Sequence, residues 1–75
     1  MNVKGGSYVV CLSNQGYRVA LVVRKIYRSL PDSEAEKRGL KRVIDESGED
    51  YLFPATLFAP IRLPQALRNR LAKAS

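Results

Sequence analysis

The sequence predicts a small, mainly β domain: a five-stranded barrel with a short helix in one loop and a short C-terminal helix. Short runs rich in β-branched and aromatic residues alternate with turn residues over most of the chain, which is typical of small barrels and sandwiches. The 75 residues provide for one domain with a small core, since a domain of this size buries only about 60% of the surface of its unfolded chain. We expect a flexible N-terminus at 1–6, the barrel at 7–62, and an amphipathic helix or tail at 63–75.

The first half of the chain predicts strands on either side of a loop. Residues 7–12 (SYVVCL) are rich in β-formers, and the turn residues 13–16 (SNQG) follow them. Residues 17–30 then mix Val, Ile and Tyr with basic residues, and the Arg-Lys pair in the middle separates an apolar run, 19–23, from an alternating run, 26–30. The density of β-branched residues favours two strand pieces or one bent strand over a helix.

A short helix is predicted at residues 33–38, where acidic residues come first and basic residues last. This order of charges complements the helix dipole. Asp32 or Ser33 can cap the free amides at its start, and Gly39 can supply the left-handed residue that ends it. Residues 40–44 predict the next strand.

The following segment predicts a hairpin and a last edge strand. The polar turn 45–50 (DESGED) contains a Ser-Gly pair that tolerates positive φ, and residues 51–53 return antiparallel. Pro54 ends that strand, residues 55–58 allow one tight turn, and 59–61 predict a short edge strand. The acids of the turn do not have the spacing of a calcium loop, and we expect them to be solvated and to pair with a nearby base of strand 40–44.

A short amphipathic helix is predicted after the last strand. Proline stands near its start, where a helix tolerates it, and apolar residues lie at positions 63, 66, 67 and 71. We expect its leucines to pack on the barrel, because a short isolated helix is marginal in water. The alternative is that these leucines stay exposed and bind a partner.

Residues 39–61 (GLKRVIDESGEDYLFPATLFAPI) resemble the last part of the Src-homology-3 barrel. The shared order is a glycine, a hydrophobic strand, a polar hairpin, an aliphatic residue before Phe-Pro, a short turn and a last strand. The chain also resembles a group of small uncharacterised bacterial proteins that share the turn DESGEDYL. The chain keeps few residues of the family's peptide-binding groove. Pro54 is retained, but Leu57 stands in place of the groove tyrosine and the chain has no tryptophan.

The net charge of +6 is unevenly distributed along the sequence. Residues 1–31 contain five bases and residues 51–75 contain four, with no acid in either segment, whereas residues 32–50 contain four bases and seven acids. A positive face and a negative edge are therefore expected. A basic patch beside an aromatic ring is how small barrels bind nucleic acid. The candidate polyanion-binding residues are Arg18, Arg24, Lys25, Arg28, Arg68 and Arg70.

The sequence gives little evidence for an active site, a metal site or a membrane-spanning segment. The chain has no histidine and one cysteine, Cys11, which lies in an apolar run and is expected to be a small buried hydrophobe. No nucleophile can be paired with a base, and a Cys/His metal site cannot be built. We therefore expect a non-enzyme with no cofactor and no small-molecule substrate. The longest apolar run, 19–23, is too short for a membrane span or a signal-peptide core, so we expect a cytoplasmic protein without a membrane partner.

Two hypotheses for function follow, and both are binding functions. The first is a protein–protein interaction or regulatory module with an unknown protein partner, which uses Tyr17, Pro54 and Leu57. Tyr17 is singled out because it stands at a loop edge and is the ring expected to be exposed. The alternative is a small basic barrel that binds nucleic acid or another polyanion through the arginines and the lysine named above. The other rings are expected in the core or in cross-strand packing: Tyr8, Tyr27, Tyr51, Phe53 and Phe58.

Overall fold

The structure is a computed structural model that describes residues 7–74, with side chains described for residues 7–70. The strands are β1 (Ser7–Cys11), β2 (Ile26–Leu30), β3 (Leu40–Ile44), β4 (Asp50–Pro54) and β5 (Phe58–Ile61). The helices are α1 (Ser33–Lys37) and α2 (Gln65–Ala74), and a 3₁₀ turn spans Ala55–Leu57. The predicted flexible segment 1–6 lies outside the described residues.

The five strands form one antiparallel sheet in the order β4-β3-β2-β1-β5. The first four strands form a meander, and β5 returns to pair with β1 on its free side. The prediction of a mainly β fold with five strands and two short helices is confirmed. The strand ladders leave β4 and β5 as the edges of the described sheet, so it is not closed by hydrogen bonds.

The core lies on one face of the sheet, and every strand contributes to it. Its buried members are Val9, Cys11, Leu21, Tyr27, Val43, Phe53 and Phe58. The rings of Phe53 and Phe58 meet edge to face with centroids 6.1 Å apart, although they stand on the two edge strands. In a flat sheet, four strand spacings would separate those edges by about 19 Å. The sheet is therefore strongly curved around its core.

Of the five rings expected in the core or in cross-strand packing, four are buried, and the fifth, Tyr51, stands opposite Val43 in the β3–β4 ladder. Tyr8, Tyr27, Phe53 and Phe58 are buried. Tyr51 is 50% exposed, because it lies near the start of β4, beside the hairpin turn, and its hydroxyl donates to Glu49 at the surface (3.1 Å).

Helix α1 forms where the sequence predicts it, and its ends have the expected chemistry. Asp32 caps the helix, since its Oδ1 accepts a hydrogen bond from the amide of Ala35 (3.0 Å). Ala35 is buried as the helix packs against β3. Gly39 follows with φ 76°, a left-handed conformation that favours glycine. The helix therefore starts and stops at residues whose local chemistry requires it.

The predicted strand piece at 19–23 is wrong, because the segment between β1 and β2 is a loop of turns. The carbonyl of Tyr17 accepts hydrogen bonds from the amides of Ala20 (3.1 Å) and Leu21 (2.9 Å). Within residues 19–23 only Leu21 is fully buried in the core, and Val19 is 97% exposed. Arg24 has φ 70°, which turns the chain back into β2. β-branched residues favour strands where a pleated, half-buried surface receives them, and the sheet offers no neighbour here.

Helix α2 is confirmed, but its described side chains do not pack as predicted. All side chains of residues 65–70 are exposed, and Leu67 is 42% exposed. The helix touches the sheet through Arg68, whose backbone carbonyl accepts a hydrogen bond from the Tyr8 hydroxyl (3.4 Å). Within residues 7–74 no helix combines the length and apolar character needed to cross a membrane.

Candidate functional site

One row of side chains crosses the sheet on the face opposite the core. The strand registers place Tyr8 of β1 between Arg28 of β2 and Ile61 of β5. Residues directly opposite each other in antiparallel strands project on the same face and contact across it. Val9, the next residue of β1, points into the core. The alternation along β1 therefore brings a cation, a ring and an aliphatic side chain together on the outer face.

Helix α2 adds a second arginine to this row. The guanidinium carbon of Arg68 lies 6.0 Å from the centroid of the Tyr8 ring, within the range of a cation–π contact. Arg62 follows β5 directly and is exposed. Both arginines line an open depression of about 660 Å³ together with Ser7, Tyr8, Pro60, Ile61 and Leu63. We call the group formed by Tyr8, Arg28, Arg62 and Arg68 the Tyr8 site.

Five of the seven acids form ion pairs, and none of these pairs involves a residue of the Tyr8 site. Lys25 pairs with Glu46 (2.6 Å), Lys37 with Glu34 (3.6 Å), and Lys41 with Glu36 (3.7 Å). Arg42 binds both Asp32 (2.8 Å) and Asp50 (2.9 Å), as the prediction for the acidic turn required. Within residues 7–70 every cation without a carboxylate partner is therefore an arginine, and these are Arg18, Arg24, Arg28, Arg38, Arg62, Arg68 and Arg70.

The predicted polyanion residues do not form one patch. Arg28 and Arg68 meet at Tyr8, and Arg70 is exposed on the same helix as Arg68. Arg18 and Arg24 lie in the β1–β2 loop, at the other end of β1, where the amide of Arg24 donates to the carbonyl of Cys11 (2.7 Å). Lys25, also a candidate polyanion-binding residue, lies at the same end and forms an ion pair with Glu46.

Arg62 is a member of the Tyr8 site that sequence reasoning did not select. The sequence marks it only as a basic residue after the last strand. Its importance follows from the pairing of β5 with β1, which brings the end of β5 beside Tyr8. A search that extended the antiparallel pairing from the Phe-Pro corner to the first strand would have found it.

Two of the three predicted protein-binding residues, Tyr17 and Leu57, lie at one edge of the core. Tyr17 packs edge to face on Phe53 with ring centroids 5.3 Å apart, so the ring expected to be exposed is half-buried. Leu57 packs on the same core, and its carbonyl accepts from the amide of Leu12 (2.7 Å). Pro54 follows Phe53 at the end of β4 and stands opposite Leu40 in the ladder. Tyr17 and Leu57 therefore share a core edge, and Pro54 follows on the outer face.

A polar network fixes the β1–β2 loop to the hairpin turn. The Tyr27 hydroxyl accepts from the amide of Val22 (2.8 Å) and donates to the carboxylate of Glu46. Glu46 in turn binds Lys25, and its amide donates to the carbonyl of Ala20 (3.0 Å). Burial and the bond to Glu46 raise the pKa of Tyr27 to about 12. The bonds from Lys25 and Tyr27 lower the pKa of Glu46.

The described residues show little that could perform covalent chemistry. Cys11 is buried, as predicted, and its thiol donates to the carbonyl of Ser13 (3.3 Å). Burial raises the pKa of this thiol, which keeps it in the unreactive protonated form. Within residues 7–70 no three Asp, Glu or Cys side chains come close enough to hold a metal ion.

Comparisons of the chain with protein-family models, with curated proteins and with solved structures find no match.

Proposed function

We propose that this chain is a non-catalytic binding module, that its ligand is a polyanion of the nucleic-acid class, and that it binds at the Tyr8 site. The observation that carries the proposal is that Arg62 and Arg68 line an open depression with no acid among its described lining residues, and that Arg28 stands beside Tyr8 on the neighbouring strand. The like charges of Arg62 and Arg68 at the depression repel each other, and an anion that bridges them relieves this repulsion.

The type of cation supports the same ligand. A guanidinium presents a planar fork of donors that binds phosphate oxygens in pairs and is more weakly hydrated than the lysine ammonium. Within residues 7–70 the lysines are in ion pairs, whereas the arginines of the Tyr8 site have no carboxylate partner in that range to give up on binding. Phosphate contacts by these arginines would release counterions, which supplies most of the affinity of non-specific nucleic-acid binding.

The scaffold we propose for this site is a partly open barrel of the Src-homology-3 type. The support is the order of the last elements, in which Phe-Pro at the end of β4 leads through the turn Ala55–Leu57 into β5 beside β1. The contact between Phe53 and Phe58 across the two sheet edges also favours it. Nuclear Overhauser contacts between these two rings in solution are expected, and their absence would contradict the barrel.

A protein partner is the second candidate, and exposed apolar side chains favour it. Val19 is 97% exposed and Leu12 57% exposed, and both lie in the loop that holds Tyr17. Scattered apolar side chains are normal on protein surfaces, so this candidate needs a ligand that covers Leu12, Tyr17 and Leu57 together. It predicts a regulatory or adaptor role without the salt dependence of a polyanion site.

The test is a titration of the full chain with a DNA duplex of about 16 base pairs, monitored by amide chemical shifts at several salt concentrations. We expect shifts at Tyr8, Ile61, Arg62 and Arg68, and an affinity that falls as salt rises. Shifts confined to the loop around Tyr17 would instead favour the protein partner.

A pair of charge-matched variants separates the site from net charge. The first replaces Arg28, Arg62 and Arg68 by Gln, and the second replaces three arginines from elsewhere by Gln. The second set is Arg18, Arg24 and Arg38, which are exposed and unpaired. We expect the first variant to lose about tenfold or more in affinity and the second less than about threefold. Equal losses would mean that the Tyr8 site has no special role.

A further inference from the structure

The aromatic rings near the Tyr8 site are not available for stacking on bases. Proteins that bind single strands combine a basic groove with exposed rings on which successive bases stack. Tyr8 itself is 9% exposed, held between Arg68 and the sheet. Tyr27, Phe53 and Phe58 lie in the core on the other face. The site therefore presents guanidinium groups around a ring whose surface is already covered.

The one strongly exposed ring among the described residues lies elsewhere. Tyr51 stands on β4, three strands away from Tyr8 on β1, at about 14 Å along the sheet. It pairs with Val43, a core residue, so it projects on the opposite face from the Tyr8 row. Its hydroxyl bonds Glu49, and Asp50 is its neighbour, so an approaching phosphate meets negative charge there.

Given the proposed polyanion site, on which this step rests, we infer that the ligand is double-stranded nucleic acid held by its phosphate backbone without base selectivity. A duplex carries one negative charge per about 1.7 Å of its axis, more than a single strand provides, and releases more counterions per contact. A site with arginines and no exposed ring gains affinity from this charge density. Because it has no ring to stack on unpaired bases, it loses no affinity when the bases are stacked inside a duplex. The Tyr8 site is therefore expected to bind a duplex more tightly than a single strand.

The number of arginines at the Tyr8 site predicts how steeply the affinity falls with salt. Three phosphate contacts, from Arg28, Arg62 and Arg68, give slopes of about −2.7 for a duplex and about −2.1 for a single strand in a plot of log affinity against log salt. Between 50 and 200 mM salt the duplex affinity then falls about 40-fold and the single-strand affinity about 20-fold. Base composition has no contact through which to act, so AT-rich and GC-rich duplexes bind equally within about threefold.

The experiment measures fluorescence anisotropy of the full chain with a labelled duplex of about 16 base pairs, with each of its strands alone, and with AT-rich and GC-rich duplexes. The duplex is expected to bind at least about fivefold more tightly than either strand at low salt. A strand that binds as tightly as the duplex, or a composition effect above about tenfold, overturns the inference.

Two additions make the outcomes distinguishable. The Tyr51→Leu variant removes the exposed ring, and it should bind the single strands within about twofold of wild type; a loss above about fivefold would show stacking and overturn the inference. Vesicles of phosphatidylserine and phosphatidylcholine test a membrane surface. If no nucleic acid binds at low salt, or only vesicles bind, the proposed function itself fails. Single-strand binding as tight as duplex binding overturns only the inference that the ligand is double-stranded.

Discussion

Removal of one hydroxyl group, by Tyr27→Phe, tests how the β1–β2 loop is held to the rest of the fold. Tyr27 is only 5% exposed, so its ring remains packed in the variant and no cavity forms. The variant loses the acceptor for the Val22 amide and the donor to Glu46. One of these bonds involves a charged partner, and the pair is worth about 1–3 kcal/mol. We expect the free energy of unfolding at neutral pH to fall by about 2 kcal/mol.

The same hydroxyl makes the cost of the mutation depend on pH. The pKa of Tyr27 rises from 10 in the unfolded chain to about 12 in the folded one. A raised folded pKa stabilises the protein fully below pH 10, and this contribution is lost as pH rises through about 12. A rise in pKa from 10 to about 12 corresponds to about 3 kcal/mol, of the same size as the expected cost of the mutation. The wild type should therefore approach the variant in stability between pH 10 and pH 12.

Urea unfolding followed by far-ultraviolet circular dichroism, from neutral pH to pH 12, measures both effects. Tyr51→Phe is the matched control, because it removes an exposed hydroxyl that bonds Glu49; its cost should stay within about 0.5 kcal/mol. A difference between wild type and Tyr27→Phe that stays constant up to pH 12 would refute the raised pKa. A cost below about 0.5 kcal/mol at neutral pH would refute the anchoring role.

Three further outcomes follow from burial and backbone geometry. Val43→Ala, at a fully buried site, should lower the free energy of unfolding by about 2 kcal/mol, whereas Val19→Ala at an exposed site should change it by less than about 0.5 kcal/mol; similar costs in urea unfolding would contradict the core. Gly39→Ala forces a Cβ into a left-handed residue at φ 76°, and should lower stability by about 1 kcal/mol in thermal melts; no loss would argue against that backbone conformation. Cys11 should resist alkylation by iodoacetamide in the folded chain and react rapidly in urea, and equal rates in the two states would contradict its burial.

The elements that the sequence predicts correctly are those whose evidence is local. The hairpin between β3 and β4 follows from the polar turn, in which Gly48 adopts φ 86°. The helix α1 follows from the cap at Asp32 and the charge order of the next residues. The 3₁₀ turn follows from Pro54 and the short spacing to the last strand. In each case the residues that decide the conformation lie within a few positions of it.

The β1–β2 loop could not be predicted in this way, because distant residues hold it. The bonds that fix Ala20 and Val22 come from Glu46 and Tyr27, which belong to other elements of the chain. The β-branched residues of the loop indicate a strand only if a neighbouring strand is present to receive them. Pairing of β1 with β2 ends at Val10 and Ile26, so Val19 has no such neighbour.

The candidate site is also a product of distant pairing. Tyr8 and Arg68 are 60 positions apart in the sequence, and their contact depends on β5 returning beside β1. The sequence identified Arg28 and Arg68 as cations but offered no reason to place them together. It selected the ring of Tyr17 over that of Tyr8, because loop position is a local feature and strand register is not.

None of the seven acids lines the depression at the Tyr8 site. All seven acids lie within residues 32–50: at the N-cap of α1 and within that helix, in the β3–β4 turn, and at the first residue of β4. The acids of the turn lie beside the β1–β2 loop, at the end of β1 away from Tyr8, where Glu46 contacts Ala20 and Lys25. A polyanion near the protein is repelled from the β3–β4 turn and attracted towards the Tyr8 site. The charge pattern therefore orients the proposed ligand before any arginine touches it, and exchanging the charges of Glu49 and Arg62 should slow association more than it speeds dissociation.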